Sequence, residues 1–223
     1  MTVAVEFWFD PTCPFTWRTS RWVRELERAG AVTVEWKVMS LGILNEGREM
    51  PEQYREGMVR GARFLRALVA AGERGGSDAV GRLYDALGAH LHEKDEGLAD
   101  DILIRSVEEV GLDGAVADAA EDEGRDAAVR ASHDEAQRRV GTETGSPVTA
   151  YDGGPAFFGP VVVPAPTGED ATTLLTAMTS LSKVSGFSEL KRSRNPLRRP
   201  LPASRAAARG RQRARARGRA NTE

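Results

Sequence analysis

The chain has 223 residues, 40% of them hydrophobic and 29% charged, with a formal net charge of −2 and a single cysteine. That length supplies one sizeable core, or a small domain with a second one inserted. One cysteine excludes an intramolecular disulfide. No apolar run approaches roughly 18 residues, and Glu6 interrupts the first apolar segment, so neither a membrane span nor a secretion signal is expected. A reducing cytoplasm is the natural compartment for such a chain.

The small net charge averages two unlike regions. Residues 191–223 hold 12 Lys or Arg against one acid, Glu223, leaving 19 bases against 32 acids in the rest. The body is acidic and the tail strongly basic.

Taken in chain order, Val3, Val5, Phe7 and Phe9 alternate with other residues and predict a strand with one buried face. Residues 14–29 then read as a helix, with Arg18, Arg21, Arg24 and Arg28 on its wet side and Gly30 as its stop. Val32, Val34, Trp36 and Val38 predict a second strand, so the first 50 residues contain a βαβ unit with a parallel pair. From Pro51 to about Val140 strand signals vanish. Helical runs are predicted at 52–72, 78–92, 98–110, 113–122 and 125–139, broken at Gly75-Gly76, Gly97, Gly111 and Gly124. Leu83, Leu87 and Leu91 form a core stripe, and the last of these helices is expected to pack back on the sheet. After Gly145-Ser146-Pro147, residues 148–151 and 156–158 flank Asp152-Gly153-Gly154 as a hairpin. A final helix begins near Glu169, with Leu174, Met178 and Leu181 expected to face inward.

This order predicts an α/β protein with a thioredoxin-like (DsbA-like) sheet and an inserted α-helical domain. Residues 1–50 and 125–192 form the thioredoxin-like part, and 51–124 the insertion. Residues 193–223 hold no aromatic side chain and little that is apolar beyond alanine, so a disordered Arg-rich tail is expected. Such a tail binds nucleic acid non-specifically and releases it with salt, or is simply a solvated extension.

The lone cysteine lies in Phe9-Asp10-Pro11-Thr12-Cys13-Pro14-Phe15-Thr16-Trp17, where the strand pattern gives way to the helical one. Cys13 is either an inert packed thiol or a working one, and a strand-to-helix turn favours the second. Unpaired backbone N–H groups and the helix dipole at that turn stabilise a thiolate, so its pKa is expected below the ordinary thiol value. Pro14 suits a first helical turn because it has no N–H to leave unpaired. Thr16 stands where a Cys-x-x-Cys motif would place its second thiol; it serves as a helix cap or as a donor to the sulfur. Without a second thiol, a mixed disulfide on Cys13 requires an external thiol to resolve it.

In a thioredoxin-like fold Pro147 is the cis proline facing the cysteine, with Ser146 beside it as the second wall. Pro14, Phe15, Trp17 and Ser146 are therefore candidate substrate-binding residues, and Cys13, Thr16 and Pro147 candidate catalytic ones. Trp8, Trp17, Trp22 and Trp36 read as core before site, with Trp17 the one to test for a site role because it adjoins the loop. His90 and His92, two apart on a predicted helix, point to different faces, so no metal site is expected from them and His133.

The blocks Phe9-Asp10-Pro11-x-Cys13-Pro14, Ser20-Arg21-Trp22, Val38-Met39-Ser40-Leu41, Ile43-Leu44-Asn45-Glu46 and Pro51-Glu52-Gln53-Tyr54-Arg55-Glu56-Gly57-Met58 occur in that order. With Gly145-x-Pro147, Phe157-Phe158-Gly159-Pro160-Val161 and Glu189-Leu190-Lys191-Arg192, the chain resembles the DsbA-like mycothiol-dependent nitroreductases of actinobacteria over residues 3–192. The resemblance implies a cytoplasmic, dimeric oxidoreductase. It implies mycothiol or another low-molecular-weight thiol as co-substrate, and a nitro-aromatic, other electrophilic or disulfide compound as substrate. By position Cys13 is then the attacking thiol and Pro147 the cis proline. Phe15 and Thr16 depart from the family's Cys-Pro-Trp-Cys, which leaves monothiol chemistry. Two alternatives stand beside it: a kappa-class glutathione transferase or isomerase that activates a bound thiol, and a degenerate member that only binds.

Overall fold

A computed structural model describes residues 2–141 and 144–195. Most of the basic tail expected to be disordered, from residue 196 on, lies outside the described residues. Strand β1 (Val3–Phe9) places Val5, Phe7 and Phe9 on one face and Trp8 on the other, all buried. Helix α1 (Pro14–Arg28) turns Trp17, Trp22, Val23 and Leu26 inward, and Gly30 closes it at φ 71, a value glycine adopts without strain. β2 (Val32–Val38) returns parallel to β1, with Trp36 opposite Phe7 and Val38 opposite Phe9.

The helical block comprises α2 (Leu41–Leu44), α3 (Glu52–Gly88), a π-helical turn at Ala89–Glu93, α4 (Asp100–Glu109), α5 (Ala115–Asp118) and α6 (Asp126–Val140). The chain then forms the hairpin β3 (Val148–Tyr151) and β4 (Ala156–Phe158), followed by α7 (Gly168–Leu181). The sheet order is β2-β1-β3-β4, with β3 antiparallel to β1 and β4 antiparallel to β3. This is the thioredoxin-like arrangement with a helical insertion.

Two cores result. Val5, Phe7, Phe9 and Trp36 pack with α1, α3 and Leu175 of α7, and the indole N–H of Trp22 donates to the Ala171 carbonyl at 3.0 Å. On the opposite face Trp8, Val148 and Ala150 pack against Met39 and Ala136 of α6. The charge of Glu6 is accommodated there: Lys37 lies 3.0 Å and Arg139 2.7 Å from its carboxylate, and both cations sit over the Trp8 ring. The expected helix return onto the sheet is thus α6.

The expected break at Gly75-Gly76 is present: both residues leave the helical range, Gly76 at φ 65, and two helical segments meet there at a kink within α3. Ser77, just past the kink, accepts from the Trp36 N–H at 2.6 Å and donates to the Val34 carbonyl at 3.3 Å, which ties down the edge strand. Residues 89–93 are π-helical instead of ending a regular helix, and the short α2 was not anticipated. Its start is fixed by Ser40, whose hydroxyl accepts from the Ile43 N–H at 3.1 Å. In α7 Ala171 and Leu175 are buried, and Leu174 and Met178 pack half-buried against the same core as expected, so the inward face also takes in the two positions beside them.

Gly88 carries a tight constraint. A Cβ built there would lie 2.1 Å from the Trp17 ring, which is itself wedged in the core and cannot move aside. Gly88→Ala is expected to destabilise the fold by about 1–3 kcal/mol, the usual cost of overpacking. Chemical denaturation followed by circular dichroism reads this directly; an unchanged midpoint would show that the helix shifts freely away from Trp17.

Candidate active site

Cys13 is the N-cap of α1, with φ −81 and ψ 111 and Pro14 as the first helical residue. Its N–H donates to the Asp10 carbonyl at 3.1 Å, and its own carbonyl accepts from the Trp17 N–H at 3.1 Å. The turn is built by Asp10. One carboxylate oxygen accepts from the Thr12 N–H at 2.8 Å and the Thr12 hydroxyl at 2.6 Å; the other accepts from the Leu41 N–H at 2.7 Å. This Asx-type turn joins the end of β1 to the start of α2. His92 adds a second tie, its Nε2 donating to the Pro11 carbonyl at 2.8 Å. Gly61 of α3 lies close behind, since a Cβ there would meet the Thr12 methyl at 3.0 Å.

The opposite wall comes from the segment before β3. The Ser146–Pro147 peptide is cis. The Ser146 hydroxyl accepts from the Asp10 N–H at 3.0 Å and pairs with the Thr16 hydroxyl at 2.7 Å, while the Cys13 thiol donates to the Ser146 carbonyl at 3.7 Å. Cys13, Thr16, Ser146 and Pro147, 130 residues apart in sequence, are therefore brought together.

The remaining candidates divide. Pro14 is exposed and Phe15 half-buried beside the turn. Trp17 belongs to the core: it is 1% exposed, edge-on to Tyr84 at 5.7 Å and 5.9 Å from the His92 ring, with Arg21 over its face. It supports the site from beneath and offers little surface to a ligand. His90 is engaged elsewhere, its two ring nitrogens 3.1 Å from Glu96 and 3.0 Å from Glu109. His133 accepts from the Ser40 N–H at 3.4 Å, and burial lowers its pKa. Among the described residues no cluster of three or more His, Cys, Asp or Glu is placed to hold a metal ion.

The electrostatics reverse one expectation. Burial pushes the Cys13 thiol above its ordinary pKa, and the nearby Asp10 carboxylate adds to the rise. Opposing them are the Thr16 hydroxyl and the N–H groups of Thr16 and Phe15, which favour the thiolate, but burial outweighs them. The donors expected at a helix start are present, but Cys13 is only 7% exposed. Asp10 is likewise pushed upward by burial, against the hydrogen bonds from Thr12 and Leu41. Asp10 was not singled out from sequence; the signal that could have found it is an Asp two residues before a threonine in a Pro-containing turn.

A cavity of about 390 Å³ lies between α2, α3 and α6, lined among others by Ile43, Met50, Met58, Val129 and Arg130. Cys13, Thr16 and Pro147 do not line it, so it is separate from the sulfur.

A strand-to-helix Cys-Pro turn facing a cis proline on a four-stranded mixed sheet is the arrangement of the thioredoxin-like class. The family model described as Rv2466c-like, mycothiol-dependent nitroreductase Rv2466c, matches residues 12–192, and the chain belongs to that family. It is similar to the uncharacterized protein Rv2286c of Mycobacterium tuberculosis, 31% identical over 200 residues that span 86% of this chain and 83% of that protein. In fold it is similar to the disulfide bond oxidoreductase DsbG of Mycobacterium tuberculosis, with a TM-score of 0.50 and 17% identity over 84% of this chain and 80% of that one. It is also similar to a 2-hydroxychromene-2-carboxylate isomerase, with a TM-score of 0.53 and 16% identity over 79% of this chain and 94% of that one. No helix among the described residues is long and apolar enough to cross a membrane.

Because the thiol pKa is raised, alkylation of Cys13 by a neutral reagent is expected to climb about tenfold per pH unit beyond the range where a free thiol levels off. Asp10→Asn removes the neighbouring charge and should shift that profile to lower pH, while costing about 1–3 kcal/mol of stability by misplacing an amide against N–H donors. A profile that levels off near neutrality in the native chain would contradict the burial argument.

Proposed function

We propose that the chain is a thiol-dependent oxidoreductase of the mycothiol-dependent type that works through Cys13 alone. The observation that carries this reading is the sulfur at the start of α1, 3.7 Å from the Ser146 carbonyl, with Thr16 occupying the place of a resolving thiol. The residues present fit attack at sulfur. The Thr16 hydroxyl and the N–H groups of Phe15 and Thr16 stabilise a thiolate once it forms, and again when it leaves.

In the first step the Cys13 thiolate attacks one sulfur of a disulfide substrate. The Cys13–sulfur bond forms, the substrate S–S bond breaks, and the departing sulfur leaves as a thiolate that takes a proton from solvent. Thr16 has no sulfur with which to displace that adduct, so Cys13 stays blocked until an outside thiol attacks. Mycothiol or another low-molecular-weight thiol supplies the second sulfur, and two such thiols are oxidised for each disulfide reduced. When the adduct is cleared, the Cys13 thiolate is expelled toward the same donors, regains a proton, and returns to its bond with the Ser146 carbonyl. Ser146 and Thr16 thus hold the resting thiol, with Pro147 forming the wall against which the substrate lies.

A second reading, a kappa-class transferase or isomerase, draws on the raised thiol pKa. There Cys13 and Thr16 would act as hydrogen-bond donors to a bound thiolate without covalent attack. Turnover of a small disulfide with mycothiol as reductant separates the two. Cys13→Ser should lower it by roughly six orders of magnitude or to the uncatalysed rate, the scale for loss of an attacking nucleophile. Turnover retained in Cys13→Ser would transfer the chemistry to the bound thiol.

A further inference from the structure

Beyond the catalytic turn, the chain leaves α7 and runs back across the site side of the molecule. Phe187 packs against Phe157 of β4, with ring centres 5.8 Å apart, and the Asn195 amide donates to the Val163 carbonyl at 2.7 Å. Between these anchors Arg194 sets its guanidinium over two rings at once, 5.1 Å from Phe15 and 5.7 Å from Phe158. Phe15 belongs to the Cys-Pro-Phe-Thr turn. Phe158 lies opposite Val148 in the β3–β4 hairpin, and a Cβ on Gly145 would touch its ring at 3.5 Å. The two rings therefore rise from the two walls of the site, and Arg194 bridges them.

Among the described residues no carboxylate lies within ion-pairing distance of Arg194, whereas Arg21, Arg24, Arg66, Arg105, Arg125 and Arg139 all hold such partners. Its hold on the protein is by ring faces, which leaves the edge of the guanidinium fork free to accept an anion. Phe158 is 41% exposed, so an aromatic surface remains open beside that fork.

We propose that Arg194 is a specificity-determining residue that recognises an anionic group, foremost a carboxylate, on a flat aromatic substrate approaching Cys13. The substrate class is an aryl disulfide whose ring rests on Phe15 and Phe158 while its carboxylate meets the guanidinium. This rests on the reading of Cys13 as the attacking thiol. The bond changes are those of that reading: a Cys13–sulfur bond forms, the aryl S–S bond breaks, and one aryl thiolate is released.

The test compares two probes on the full chain, dianionic dithiobis-nitrobenzoate and neutral dithiodipyridine, following release of the coloured thiolate at mildly alkaline pH. As Cys13 is the only cysteine, one equivalent reports its modification. The ratio of anionic to neutral rate constants should fall about two- to fivefold in Arg194→Ala, the range for an exposed charge pair, and be partly restored in Arg194→Lys. Added salt should lower the ratio in the native chain more than in Arg194→Ala. The basic tail is common to all these proteins and cancels in the comparison. An unchanged ratio overturns the proposal, as does an equal rise of both rates, which would make Arg194 a cover. If neither probe modifies native Cys13, the nucleophile assignment fails first and this inference falls with it.

Discussion

The site depends on a single serine shared between three parts of the chain. Ser146 accepts from the Asp10 N–H at the end of β1, pairs its hydroxyl with Thr16 in the first turn of α1, and lends its carbonyl to the Cys13 thiol. Each such bond nets only about 1 kcal/mol, but all are buried, and an unmet donor in that position costs more than the bond returns. The strand, the helix start and the segment before β3 are consequently held in one register. Asp10 extends the same logic sideways to Thr12 and Leu41, so that the turn bearing the sulfur is fixed on both flanks.

That rigidity has an electrostatic consequence. A sulfur held this firmly is also largely dry, and the donors at the helix start are opposed by desolvation and by the Asp10 charge. The resting state is therefore a protonated thiol bonded to a carbonyl. Ionisation becomes favourable when the thiol is drawn off that carbonyl or when the pH rises, and the N–H groups of Phe15 and Thr16 are already aligned for the anion. Under the proposed function, Thr16 in place of a second thiol leaves the other half of the reaction to a diffusing partner. Arg194 rests on Phe15 of the same turn and on Phe158.

Much of this was legible in the residues. The alternation of Val5, Phe7 and Phe9, the glycine stops and the Asp152-Gly153-Gly154 turn carry local physics that tertiary structure did not override. Cys13-Pro14 after a strand located the turn, and Pro147 was placed opposite through the fold. Burial of the Cys13 turn was not legible, although the core reading of Trp17 holds. Trp17 adjoins the turn in sequence yet lies under it, because α1 must present its apolar face to Tyr84 and Gly88. The helix-terminus rule gave the wrong direction for the Cys13 pKa for the same reason, since spacing reveals donors but not how much water remains. Arg194 falls in the stretch expected to be a disordered Arg-rich tail; its placement over two aromatic rings is a tertiary contact that no local pattern reveals.

The proposed chemistry requires Cys13 to be a reachable nucleophile with no internal partner. Intact-mass measurement after exposure of the reduced chain to oxidised mycothiol addresses this most directly. A single adduct is expected, confined to Cys13, that persists until free thiol is added and then disappears. A chain that gains no mass even at alkaline pH, where the thiol is ionised, would contradict it.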